Sequence, residues 1–104
     1  MDDMALKGLF TLDKDELMER MASELPYISG ELGMTPAGVA FRTGLDKDRV
    51  SLIAEGKRKM KWSEYMCILF MLWGDEKGSE LVEKNGFFPE ELKRAMAINR
   101  NAHK

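Results

Sequence analysis

TPAGVAFRTGLDKDRVSLIAEGKRKMK, residues 35–61, decides the fold. Thr35 can cap a helix with its hydroxyl, and Pro36 fits the first helical position because its missing N–H costs nothing there. Val39, Ala40 and Thr43 then fall on one helical face. Gly44 supplies the positive φ of a sharp stop. Leu45 fills the core behind the turn, and Asp46 caps the next helix, whose inward pair is Val50 and Ile53. Lys47, Asp48, Arg49, Ser51 and Leu52 are left to face outward or sideways. Gly56 ends this helix, and Lys57, Arg58 and Lys59 follow at once. The stretch therefore reads as helix, tight turn, helix and basic loop.

Charge is concentrated in the same place. Residues 35–61 hold seven cations and three anions, a net +4, while the remaining nine cations and fifteen anions leave −6 elsewhere. A basic patch on an acidic body fits the electrostatic footprint of a protein that meets a polyanion, the other reading being a solvated charge run.

The flanks read as further helices. A length of 104 residues allows one domain. Residues 1–12 lack a sustained period and are expected to form an arm docked through Leu9 and Phe10. Asp13 and Glu16 have capping-box spacing, and Leu17, Met21 and Leu25 repeat every four residues. Pro26 either kinks this first helix or begins another. Ile28 and Leu32 continue the apolar face to a stop at Gly33. Ser63 is expected to cap a fourth helix over residues 64–73 that is apolar almost all round, with Cys67 in the core, and with Trp62, Phe70 and Trp73 in the core or, as the alternative, on a partner surface. Asn85-Gly86 ends a fifth helix begun near Glu76. Pro89 opens a sixth that fades into a flexible tail over residues 99–104. The helical domain spans residues 13–98, with the helix-turn-helix at 35–56. No stretch alternates with period two for long enough to predict a strand, so the fold is expected to be all-α.

Ala40, Gly44, Leu45, Val50, Ile53 and Gly56 lie at offsets 0, 4, 5, 10, 13 and 16. With LGMT at residues 32–35 and EGKRK at residues 55–59, this pattern resembles the helix-turn-helix of the Cro and phage-repressor (XRE) family. The resemblance covers residues 26–72. It implies a lambda-repressor-like bundle with extra N- and C-terminal helices, and binding to double-stranded DNA with the third helix in the major groove. Carried over position by position, Lys47, Asp48, Ser51 and Leu52 meet base edges, with Arg49 beside them. Thr35 meets phosphate at a helix N-terminus, and Lys57, Arg58, Lys59 and Lys61 grip the backbone. The chain departs from the family at Pro36, where Gln is common, at Asp48, and at Ser29 and Ala54. At the last two positions some members place the Arg and Glu of a buried ion pair.

The chemistry of other classes is missing from the sequence. Cys67 is the only cysteine and His103 the only histidine, which leaves no disulfide framework and no metal cluster. No nucleophile–base arrangement or phosphate-binding glycine loop stands out, so neither an enzyme nor a cofactor is expected. Asp2 and Asp3 stand where a secretory signal carries cations, and the longest apolar run, residues 65–73, is too short to span a bilayer. The expectation is a cytoplasmic, bacterial or phage-like transcriptional regulator with no membrane partner and no evident small-molecule substrate; an effector ligand is left open. It would act as a homodimer joined by residues 76–98 or by the fourth helix. The alternative is a helix-turn-helix scaffold used for protein interaction. Phe41 is expected to be covered by the extra N-terminal helix.

Overall fold

The computed structural model describes the backbone of residues 12–102 and the side chains of residues 12–96, and every element among these residues is an α-helix. Six helices follow in order: α1 (Lys14–Glu31), α2 (Pro36–Thr43), α3 (Lys47–Ala54), α4 (Trp62–Trp73), α5 (Glu76–Asn85) and α6 (Glu90–Ala102). The chain is all-α, and no strand occurs among the described residues. The docking expected of Leu9 and Phe10, and His103, lie outside the described residues.

The first five helices form one unit, Lys14–Phe87. Leu17, Met21, Leu25 and Ile28 of α1 are buried, as their spacing predicts. Pro26 lies inside α1 and the helix runs through it. Its exposed ring leaves the apolar face intact, so the buried residues on either side, Leu25 and Ile28, hold the two halves together. α1 packs on α2, α3 and α4, and α2 packs closely on α3. The turn between α2 and α3 is three residues long. Gly44 takes φ 77° and sends its N–H back to the Ala40 carbonyl at 2.9 Å. A side chain there would carry the steric cost of the left-handed region. Val39, Ala40, Val50 and Ile53 close the core between the two short helices.

α4 departs from expectation in two ways. It starts at Trp62, and Lys61 rather than Ser63 stands at its N-cap. The reason is the Glu64 carboxylate, which accepts the Lys61 N–H at 2.7 Å and satisfies a donor that the helix start would leave unpaired. The Trp62 ring also stacks on Tyr65, centroids 4.8 Å apart. Second, only one face of α4 is core: Tyr65, Ile68, Leu69 and Leu72 are buried, while Cys67, Phe70 and Trp73 are exposed. A helix that is apolar on all sides gives periodicity nothing with which to choose the buried face.

The far end of the unit is pinned by two polar contacts. The buried Tyr65 hydroxyl donates to the Phe87 carbonyl, and burial pushes its pKa up. Arg20 of α1 donates to the Asn85 carbonyl at 2.6 Å and lies over the Phe87 ring. Gly78 of α5 is buried against the last turn of α4.

The remaining described helix, α6, belongs to the other unit, which takes in residues 1–13 and 88–104. Leu92 and Lys93 both donate to the Pro89 carbonyl at 3.0 Å, which starts the helix where proline predicts. α6 continues to Ala102, past the end expected at Ile98, because no Gly or Pro follows Pro89 to stop it. Residues 99–102 are thus helical rather than tail. No helix among the described residues is long and apolar enough to cross a membrane.

Candidate nucleic-acid interface

The first turn of α3 carries a built polar cluster. Asp46 caps the helix, its carboxylate accepting the Arg49 N–H at 2.9 Å. Lys47 and Asp48 follow, both exposed, and Ser51 and Leu52 are half-buried behind them. Arg49 does not point outward with Lys47. Its guanidinium turns inward onto the Glu64 carboxylate through Nε and Nη2, and Nη2 also donates to the Lys59 carbonyl at 3.0 Å. One side chain thus joins α3, the basic loop and the start of α4.

Glu64 is the anchor of that bracket. It is buried, accepts from Arg49 and from the Lys61 N–H, and so has its lone pairs well used. Burial pushes the Glu64 carboxyl up, but the bonds from Arg49 and from the Lys61 backbone outweigh it and hold the pKa below its ordinary value. The Arg49 guanidinium is held above its own ordinary value, chiefly by the bond to Glu64. A carboxylate whose pKa is depressed on folding stabilises the fold above the ordinary value of 4.5, and this is lost as pH falls through the folded value. Glu64→Gln is therefore expected to cost about 1–2 kcal/mol at neutral pH and progressively less as the pH falls below 4.5. Urea midpoints of the two proteins across that range check it. A constant gap between them at both ends would contradict the assignment.

The basic loop is held at both of its ends. At its start Gly56 adopts φ 78°, its N–H donating to the Ile53 carbonyl and that of Lys57 to the Leu52 carbonyl at 2.9 Å. This is a Schellman ending of α3, which glycine permits. At its end Met60 is buried and Arg49 holds the Lys59 carbonyl. Lys57, Arg58, Lys59 and Lys61 project from this fixed backbone, all exposed. The Lys57 ammonium sits 3.4 Å from Glu55, a surface pair that solvent makes weak. Because Arg49 reaches Lys59 from the first turn of α3, the loop ends beside that turn.

At the start of α2, Thr35 accepts the Gly38 N–H at 3.2 Å and is exposed, with Pro36 at the first helical position. Phe41 of α2 is 89% exposed, so the N-terminal helix does not cover it, contrary to expectation. α1 packs on the face that carries Val39 and Ala40, and Phe41 points away from both.

Ser29 and Ala54, where some relatives of the resembled family carry an ion pair, hold none here. Ser29 is buried and its hydroxyl has no hydrogen-bond partner. The pair that ties α3 down is Arg49–Glu64 instead. Its signal in the sequence was only a Glu three residues after Lys61, hidden because lysine is not a capping residue. Among the described residues no three His, Cys, Asp or Glu side chains gather where they could hold a metal ion.

No protein-family model, curated protein or solved structure matches the chain.

Proposed function

We propose that this protein binds double-stranded DNA as a transcriptional regulator. On this reading the α2–turn–α3 unit is a helix-turn-helix of the Cro and phage-repressor kind within a lambda-repressor-like bundle. α3 enters the major groove with Lys47 at a base edge, and Lys57, Arg58, Lys59 and Lys61 lie along the phosphates. The observation that carries the reading is the basic loop itself. Four exposed cations stand on a backbone that Gly56, Met60 and the Arg49–Glu64 bracket hold beside the first turn of α3. Cations fixed in place lose less freedom on meeting phosphate than cations on a loose loop. Arg49 supports the surface from behind rather than touching DNA. Asp48 suits a cytosine N4 donor and repels phosphate, so it narrows the set of accepted sequences. The active species is a homodimer on a two-fold operator.

Selection from a pool of random duplexes tests this. The expected outcome is an enriched motif that changes at one position in Lys47→Ala and stays the same in Lys57→Ala, which binds all sequences more weakly. An unenriched pool would refute sequence-specific binding.

A second reading, a scaffold for protein interaction, is favoured by Phe41 on α2 and by Phe70 and Trp73 on α4, all exposed. Under it, the selected pool stays random and Phe41→Ala leaves the fold intact.

A further inference from the structure

A hollow of about 330 Å³ opens between the first half of α1 and the basic loop. Its size lies within the range of small-molecule sites. Met18 and Ala22 of α1, Ile53 of α3 and Met60 of the loop give it an apolar lining. Asp15 and Glu19, one turn apart on α1, stand on one wall, and Lys57, Arg58 and Lys59 on the other. Among the described residues no ion pair joins the two walls, and the Lys57 ammonium turns back to Glu55. The apolar lining holds carboxylates and cations apart instead of letting them meet.

We infer that this hollow binds a small amphipathic zwitterion of dipeptide size. Its ammonium end faces Asp15 and Glu19, its carboxylate end faces the loop cations, and its apolar side chains lie on Met18, Ala22, Ile53 and Met60. The charged groups of both walls are exposed, so the preference comes from complementarity: an ion of one sign meets like charge on one wall, and a ligand with an end of each sign meets opposite charge on both. The loop that forms one wall is the loop proposed to hold DNA phosphates. Occupancy of the hollow therefore changes DNA affinity, a coupling that rests on the DNA-binding reading, whereas the pocket itself does not.

The test uses the full chain and L-leucyl-L-phenylalanine as the probe, followed by the methyl resonances of the nine methionines. Saturable shifts are expected at Met18 and Met60, half-complete below about 10 mM. The N-acetylated and the C-amidated dipeptides, each lacking one charge, are expected to bind at least about threefold more weakly. So is the parent dipeptide to Asp15→Asn/Glu19→Gln, whose replaced side chains are exposed and whose unliganded spectrum reports that the fold is kept. Absence of shifts at that concentration, shifts spread over all the methionines, or equal binding of the blocked dipeptides would each overturn the site. With the site occupied, duplex affinity should change by about threefold or more. An unchanged affinity overturns the coupling alone. If the protein binds no duplex at all, the methyl titration still decides the pocket.

Discussion

Lys57, Arg58, Lys59 and Lys61 replaced together by glutamine are expected to weaken duplex binding about a thousandfold at 0.1 M salt. Each phosphate contact contributes about 0.9 to the slope of log affinity against log salt, so removing four flattens that slope by up to about 3.6 for each protomer bound. The fold should survive the change. All four side chains are exposed, and the loop is held by Met60, Gly56 and the Arg49–Glu64 bracket, none of which is altered. An unchanged thermal midpoint with a lost salt slope separates loss of contacts from loss of structure. If the quadruple variant binds duplex as the parent does, the basic loop is not the phosphate grip.

The second large effect concerns stability and falls at a residue far from that surface. Gly78→Ala is expected to destabilise the protein by about 2–3 kcal/mol, lowering the thermal midpoint by roughly 10–20 °C. A Cβ at Gly78 would meet the Leu72 carbonyl oxygen well inside contact distance, with the Leu72 carbonyl carbon and Cα both at 3.1 Å. These are backbone atoms at the end of α4, so no rotamer change relieves the clash. α5 must move off α4 instead, although alanine is otherwise favoured over glycine within a helix by about 1 kcal/mol. Gly74→Ala is the control. Its Cβ would sit 3.5 Å from the Phe70 carbonyl oxygen at a negative φ, an ordinary contact. It should change stability by less than about 0.5 kcal/mol. Equal behaviour of the two variants in thermal unfolding would mean that α5 does not press on α4 as described.

Helix identity was legible wherever apolar positions alternated with polar ones. Leu17, Met21, Leu25 and Ile28 named the buried face of α1, and Thr35, Gly44, Asp46 and Gly56 bounded α2 and α3. Each of those marks is local, because a cap or a left-handed glycine acts on its own helix end. α4 defeated the same reasoning. Its run of apolar residues offers no polar face, so the exposure of Cys67, Phe70 and Trp73 depends on where α5 and α2 pack rather than on α4 itself. Phe41 escapes local patterns for a related reason: an aromatic is usually covered, and only the orientation of α2 decides that this one is not.

The candidate surface was legible in part. Lys47 and the four loop cations could be picked out by charge, and they are exposed. Arg49 looked like one more member of that set. Its partner Glu64 lies fifteen positions away, and no local pattern links an arginine in one helix to a glutamate in the next. The same gap hid the hollow between α1 and the loop, whose walls come from two separate stretches.

The most direct test of the central claim is a salt titration of the unaltered protein on a mixed-sequence duplex. With Lys47 and the four loop cations on phosphates or at the groove, log affinity should fall linearly with log salt, with a slope of about −4 for each protomer bound. Absence of binding above background at about 20 mM salt, or a slope near zero, would contradict it.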